Sequence, residues 1–230
     1  MPKSDTEIPH LAFTHHRIGI HKDSDRSPTD TTAIPRRLAE LQPVHDLSRL
    51  PPQERQASLG LACLEVANRQ PDGELAQVYR ERALQLLQTV RGHGNPAQET
   101  VINAALTRLM FDLEHEPIEP IALAAYRSPM LHGRERCDVL FVLADGHVGQ
   151  GDPAGAVAFA RELVTLRRRS IDWLLLADCE RVTGGDNIRC LKMSVRINPH
   201  QPKVHRFLAD YYRRSGDSDR ASFHELRTSP

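Results

Sequence analysis

The chain has 230 residues, long enough for one large domain or two small ones with a substantial core. Its 30 Lys and Arg balance its 30 Asp and Glu, which argues against the basic excess that grips nucleic acid. It holds no run of about eighteen apolar residues and no basic start leading into an apolar core, so neither a membrane span nor an export signal is expected in it.

Residues 1–35 are polar, with Pro2, Pro9, Pro28 and Pro35 and the run "KDSDRSPTDTT". This composition predicts an extended arm over 1–37 with little structure of its own. Four of the twelve histidines, His10, His15, His16 and His21, fall within it. A helical domain is expected over 38–230. "PPQERQASLGLACLEVANRQ" opens with prolines that suit a helix start and carries apolar Leu59, Cys63, Val66 and Ala67 at helical spacing. "DGELAQVYRERALQLLQTV" does the same with Leu75, Val78, Tyr79, Ala83, Leu86 and Leu87, and Gly92 and Gly94 break it. "PAQETVINAALTRLMFDL" and "IEPIALAAYRS" read as another helix pair. Leu, Ala and Arg outnumber Val and Ile, which favours helix over sheet. Cys63, Cys137, Cys179 and Cys190 form no CxxC pair and read as small apolar residues on helix faces.

The last hundred residues repeat themselves. Leu-Ala-Asp recurs as Leu143-Ala144-Asp145, Leu176-Ala177-Asp178 and Leu208-Ala209-Asp210. A Gly-Asp turn follows each, at Gly151-Asp152, Gly185-Asp186 and Gly216-Asp217. The interval resembles that of the tetratricopeptide repeat, a helix–turn–helix unit of about 34 residues. The bulky position of that pattern is Leu140, Trp173 and His205 here. The small residue is Ala144, Ala177 and Ala209, and the second-helix Ala is Ala156 and Ala221. The middle unit departs from the pattern: its turn reads as about two residues short, with Asn187 near the expected Ala. The fold class expected is therefore all-α, an open helical-hairpin solenoid of tetratricopeptide type, clearest over 136–230, behind the extended arm. One hairpin cannot bury its apolar stripe alone, so neighbours stack and leave one face for binding.

In this repeat family the residue after the small Ala points into the binding groove. The resemblance therefore nominates Asp145, Asp178 and Asp210, with Arg181, Arg206, Arg213 and Arg214 on the same surface. Such a ladder suits a peptide end or a basic side chain. The competing reading is intrahelical pairing of Asp178 with Arg181, and of Asp210 with Arg213 or Arg214. Asp145 has no arginine one turn on and stands apart. His147 is expected to pack towards the second helix, and "RRRS" at 167–170 reads as a solvated connection between repeats. No nucleophile motif, phosphate-cradling glycine loop or HExxH occurs, and no enzymatic activity is expected.

"MPKSDTEIPHLAFTHHRIGIH" at residues 1–21 resembles the segment after the last haem-attachment motif in bacterial multihaem c-type cytochromes with C-terminal tetratricopeptide repeats. The matching residues are Met1-Pro2-Lys3, Pro9-His10, Phe13-Thr14 and His16-Arg17-Ile18. By that resemblance His10 and His16 are distal ligands or haem-edge residues for a haem c bound by a longer parent or a neighbouring chain. This chain has no CxxCH and is not expected to attach haem alone. The resemblance also implies that Met1 is internal, that the location is periplasmic, and that a cytochrome or redox partner docks on the repeats. A stand-alone chain is instead expected in the cytoplasm. Two functions follow: a scaffold that binds a protein or peptide segment, or an electron-transfer cytochrome fragment.

Overall fold

The computed structural model describes residues 41, 46–71 and 73–228, all within the unit Ala39–Pro230. The expected arm over 1–37, with His10 and His16, lies outside them. Helix starts follow local chemistry. Pro52, Pro96, Pro153 and Pro202 open helices at the position where a missing N–H leaves nothing unpaired. Asn95, Asp152, Asp186 and Asp217 cap helices by accepting from the backbone N–H of Gln98, Gly155, Arg189 and Arg220.

Among the described residues the order is α1 (Pro52–Arg69), α2 (Gly73–Val90), α3 (Pro96–Asp112), α4 (Glu119–Tyr126), α5 (Gly133–Gly149), α6 (Pro153–Leu166), α7 (Ser170–Thr183), α8 (Asn187–Ile197), α9 (Pro202–Arg214) and α10 (Ser218–Glu225). Successive helices pair into five hairpins, α1 with α2 through to α9 with α10. Each hairpin stacks on the next: α1 on α3, α3 on α5 and α5 on α7, while α2, α4, α6 and α8 each touch the helix that follows. This is the expected helical-hairpin solenoid, all α.

The helices of a pair meet at small residues. Ala144, Ala177 and Ala209 are 0%, 4% and 2% exposed, and Ala156 and Ala160 face Ala144's cluster fully buried. In the first hairpin Gly60 has this role: a Cβ there would sit 2.8 Å from the Leu87 side chain. Around these seams Leu87, Leu106, Leu140, Leu163 and Leu208 are completely buried, each contributing about 1.5–3 kcal/mol. Val78, expected on the apolar stripe of α2, is instead exposed. All four cysteines are free and buried, as expected.

The middle turn differs from the reading of the sequence. Gly184, not Gly185, takes the left-handed conformation that Gly151 and Gly216 take in the neighbouring repeats. Gly185 is an added residue before the Asp186 cap, so the turn is one residue longer, not two shorter. Its N–H donates to the Glu180 carbonyl at 2.8 Å. Cys190, 5% exposed, then fills the position of Ala156 and Ala221 in place of Asn187.

The bulky position of the last repeat is a buried polar contact. His205 Nε2–H donates to the Pro199 carbonyl at 2.9 Å, which leaves its Nδ1 to accept from His224 Nδ1–H at 2.8 Å. His224 also stacks on Tyr212. Burial, and then His205, hold the pKa of His224 below its ordinary 6.5. The unfolded chain therefore takes up a proton that the folded chain resists, and stability falls as pH drops below about 6.5. Hydrogen-exchange protection factors of α9 and α10 are expected to fall between pH 7.5 and pH 5.5, and to fall less in His224→Phe.

Candidate functional site

The first helices α1, α3, α5 and α7 stack in turn, and two open cavities lie along α3 and α5. The first, about 230 Å³, runs across α1, α3 and the start of α5, with Leu61, Leu64, Val101, Ala104, Arg108 and Asp138 among its walls. Val101 is 44% exposed, although Thr100 and Ile102 on either side of it are buried. The second, about 330 Å³, lies between α5 and the end of α3 with its connection to α4. Phe111, Ile118, Val142 and Leu143 form its apolar part, and Glu116, Glu119 and Asp145 its charged part. Asp138 and Asp145 stand seven residues apart on α5, about 10 Å along the helix, so the cavities are consecutive.

Asp145 lies in the larger cavity, half-buried, with no hydrogen-bond or ion-pair partner among the described residues. Burial raises its pKa. Asp178 is exposed and stands 4.0 Å from Arg181 on its own helix. Asp210 pairs with Arg213 at 2.6 Å, and its carbonyl accepts from Arg214. Arg213 also meets Glu225 of α10. These are the intrahelical pairs of the competing reading. Arg206 is exposed and carries no ion pair among the described residues. α9 packs on α8 and α10 but not on α7, so Arg206 and Asp210 do not continue one ladder from Asp178. Of the nominated residues, Asp145 lines the larger of these two cavities and the others line neither. His147 behaves as expected: it stacks on Phe159 and hydrogen-bonds Asp152 at 3.0 Å.

Leu61, Leu64 and Val101 were not nominated by the sequence. Their signal is weak, because an apolar residue off the core stripe looks like any scattered surface hydrophobe. Arg167 was read as part of a solvated connection, and the structure overturns this. Its guanidinium forks onto both oxygens of Asp172 at 2.9 Å and also reaches Asp138 at 2.9 Å. Asp172 is completely buried. The pair with Asp172 raises the Arg167 pKa. Arg168 and Arg169 remain exposed. Arg167 thus ties the first turn of α7 to α5 beside the smaller cavity.

No protein-family profile matches the chain, and no curated protein matches it in sequence. Solved structures match it in architecture. Two structures of MamA AMB-1 superpose with a TM-score of 0.57 at 15% identity, covering 76% of this chain and 96% and 89% of theirs. A MamA point mutant superposes with a TM-score of 0.54 at 17% identity, covering 76% of this chain and 95% of that one. The fold is a tetratricopeptide-like solenoid. At this identity the likeness to MamA speaks to fold alone, and it carries no haem or cytochrome feature to this chain. Among the described residues no helix is long and apolar enough to cross a membrane.

Two outcomes are expected from this geometry. Arg167→Met leaves Asp172 buried without its partner and should cost about 3–5 kcal/mol in chemical denaturation, with much of the loss recovered in Arg167→Met/Asp172→Leu. Asp145 works in the opposite direction. A carboxyl whose folded pKa is raised favours the fold below its ordinary pKa of 3.8 and loses that contribution as pH rises through the folded value. Asp145→Asn should therefore raise the melting temperature at pH 7, by more than it does at pH 4.

Proposed function

We propose that this chain is a protein-binding scaffold of tetratricopeptide type that holds an extended segment of a partner and does no chemistry on it. The observation that carries this reading is the pair of consecutive cavities along α3 and α5, the smaller of them opening beside exposed Val101. Stacked hairpins offer one long face, and an extended segment lying along α5 covers the distance from Asp138 to Asp145 with about three residues. Apolar walls supply binding energy, and the charged groups set orientation. In the larger cavity His147 is already engaged by Asp152, and Asp145 stands beside no nucleophile. This supports recognition over catalysis.

The haem reading rests on the first twenty-one residues alone. Neither the fold nor the MamA likeness adds to it, and the scaffold reading does not need it.

Panning a display library of random peptides on the immobilised chain tests the proposal. Ligands are expected whose affinity drops about tenfold or more in Val101→Glu, a change at an exposed position that leaves the fold intact. An empty library, or ligands indifferent to Val101→Glu, would overturn the reading.

A further inference from the structure

We propose that the cavity between α5 and the α3–α4 connection receives an arginine side chain from the bound partner segment. This deepens the scaffold reading and rests on it.

Three observations converge. The first is shape. Gly146 and Gly149 both line the cavity, and a Cβ on either would meet nothing within 4 Å. Neither has the positive φ that would demand glycine. Glycine inside a helix, as at Gly146, costs about 1 kcal/mol against alanine, and among the described residues nothing crowds either position. A helix surface without side chains is what close approach of a ligand requires.

The second is charge. Glu116, Glu119 and Asp145 line the same space, and no Lys or Arg does. Asp145 and Glu119 have no partner among the described residues, and Glu116 accepts only from the nearby Ile118 N–H. On the same helix, Asp138 is met by both Arg134 and Arg167. Asp138 thus finds cations within the chain, while Asp145, Glu116 and Glu119 in the cavity do not. Their spacing also matters. Among the described residues no group of three such side chains is placed to hold a metal ion. The cation that suits the cavity is therefore an organic one and not a metal ion.

The third is the wall. Phe111 and Ile118 stand beside the carboxylates. A guanidinium is planar and weakly hydrated. It stacks on an aromatic face while donating to carboxylates in its plane, which an ammonium does less well. The occupant that uses the glycine surface, the carboxylates and the aromatic wall together is arginine.

The test uses Nα-acetyl-arginine N-methylamide, titrated to about 20 mM into the isotope-labelled full chain and followed by amide NMR. The Gly146 and Gly149 resonances are expected to shift. The citrulline analogue, equal in shape but uncharged, should bind roughly tenfold more weakly. Asp145→Asn should erase that preference. Gly146→Leu should abolish the shift at Gly149 without lowering the melting temperature, since leucine is the better helix former. Static Gly146 and Gly149 resonances, equal response to citrulline, or an unchanged preference in Asp145→Asn would each overturn the proposal. If library peptides still bind in a Val101-dependent manner, only the arginine site falls. If they do not, the scaffold reading falls with it.

Discussion

Two antiparallel helices can approach closely only where one of them presents a residue with almost no side chain, and this solenoid places such a residue in its hairpins at matching points. Gly60, Ala144, Ala177 and Ala209 sit at the crossings, all nearly or fully buried. Each crossing fixes how far a hairpin's two stripes can interlock, and so how much leucine each unit buries. The stack inherits that spacing. α5 can touch α3, α4, α6 and α7 at once because its own partner sits close enough to leave its remaining faces free. A larger residue at Ala144, which is fully buried against Ala156 and Ala160, would push α6 away from α5 and disturb the packing on both sides.

The repeats were legible where sequence and structure share one register. Leu-Ala-Asp recurs because the same three positions do the same work: a core leucine, a crossing alanine, and an outward carboxylate. The middle turn was misread because two adjacent glycines offer two alignments, and only backbone conformation shows that Gly184 is the left-handed one. The first two hairpins were less legible for a different reason. α3 buries Thr100, Ile102, Asn103, Ala104, Ala105, Leu106 and Thr107 nearly in succession, so it shows no one-sided stripe. Gly60 carried a usable signal, Leu-Gly ahead of a helical apolar residue, but stood outside the matched repeats. The cavities were invisible in the sequence except through Asp145, which lacked an arginine one turn on. The smaller arises from how α1, α3 and α5 stack, and the larger from where α4 begins and how its connection stands from α5, which are tertiary facts.

Charge does two kinds of work here. One kind joins consecutive helices. Arg136 of α5 meets Glu162 of α6, which also accepts from the Tyr126 hydroxyl of α4. Arg161 of α6 meets the nearly buried Glu180 of α7. Arg167 joins α7 to α5 through Asp172 and Asp138. These links sit at the edges of the apolar seams, where the guanidinium stem packs and the head finds its carboxylates. A charged triplet in sequence therefore says little about exposure. In "RRR" at 167–169 the first arginine is a tertiary clamp and the other two face solvent.

The other kind of charge is left unanswered, and α5 shows the contrast within two turns of one helix. Asp138 has two arginines. Asp145, on the same side and partly withdrawn from water, has none. A fold selected for stability alone has cheap remedies at such a point: a neutral residue at 145, an arginine one turn on, or side chains at Gly146 and Gly149 to close the space. None is present. The helix instead concentrates a partly buried, unpaired carboxylate and two glycines, one inside it and one at its end, around one opening. Local departures from the rules that stabilise the rest of a structure are where binding surfaces are found. On this physical ground the proposed binding site is placed at the larger cavity, and not at the Asp178 and Asp210 pairs, which satisfy themselves.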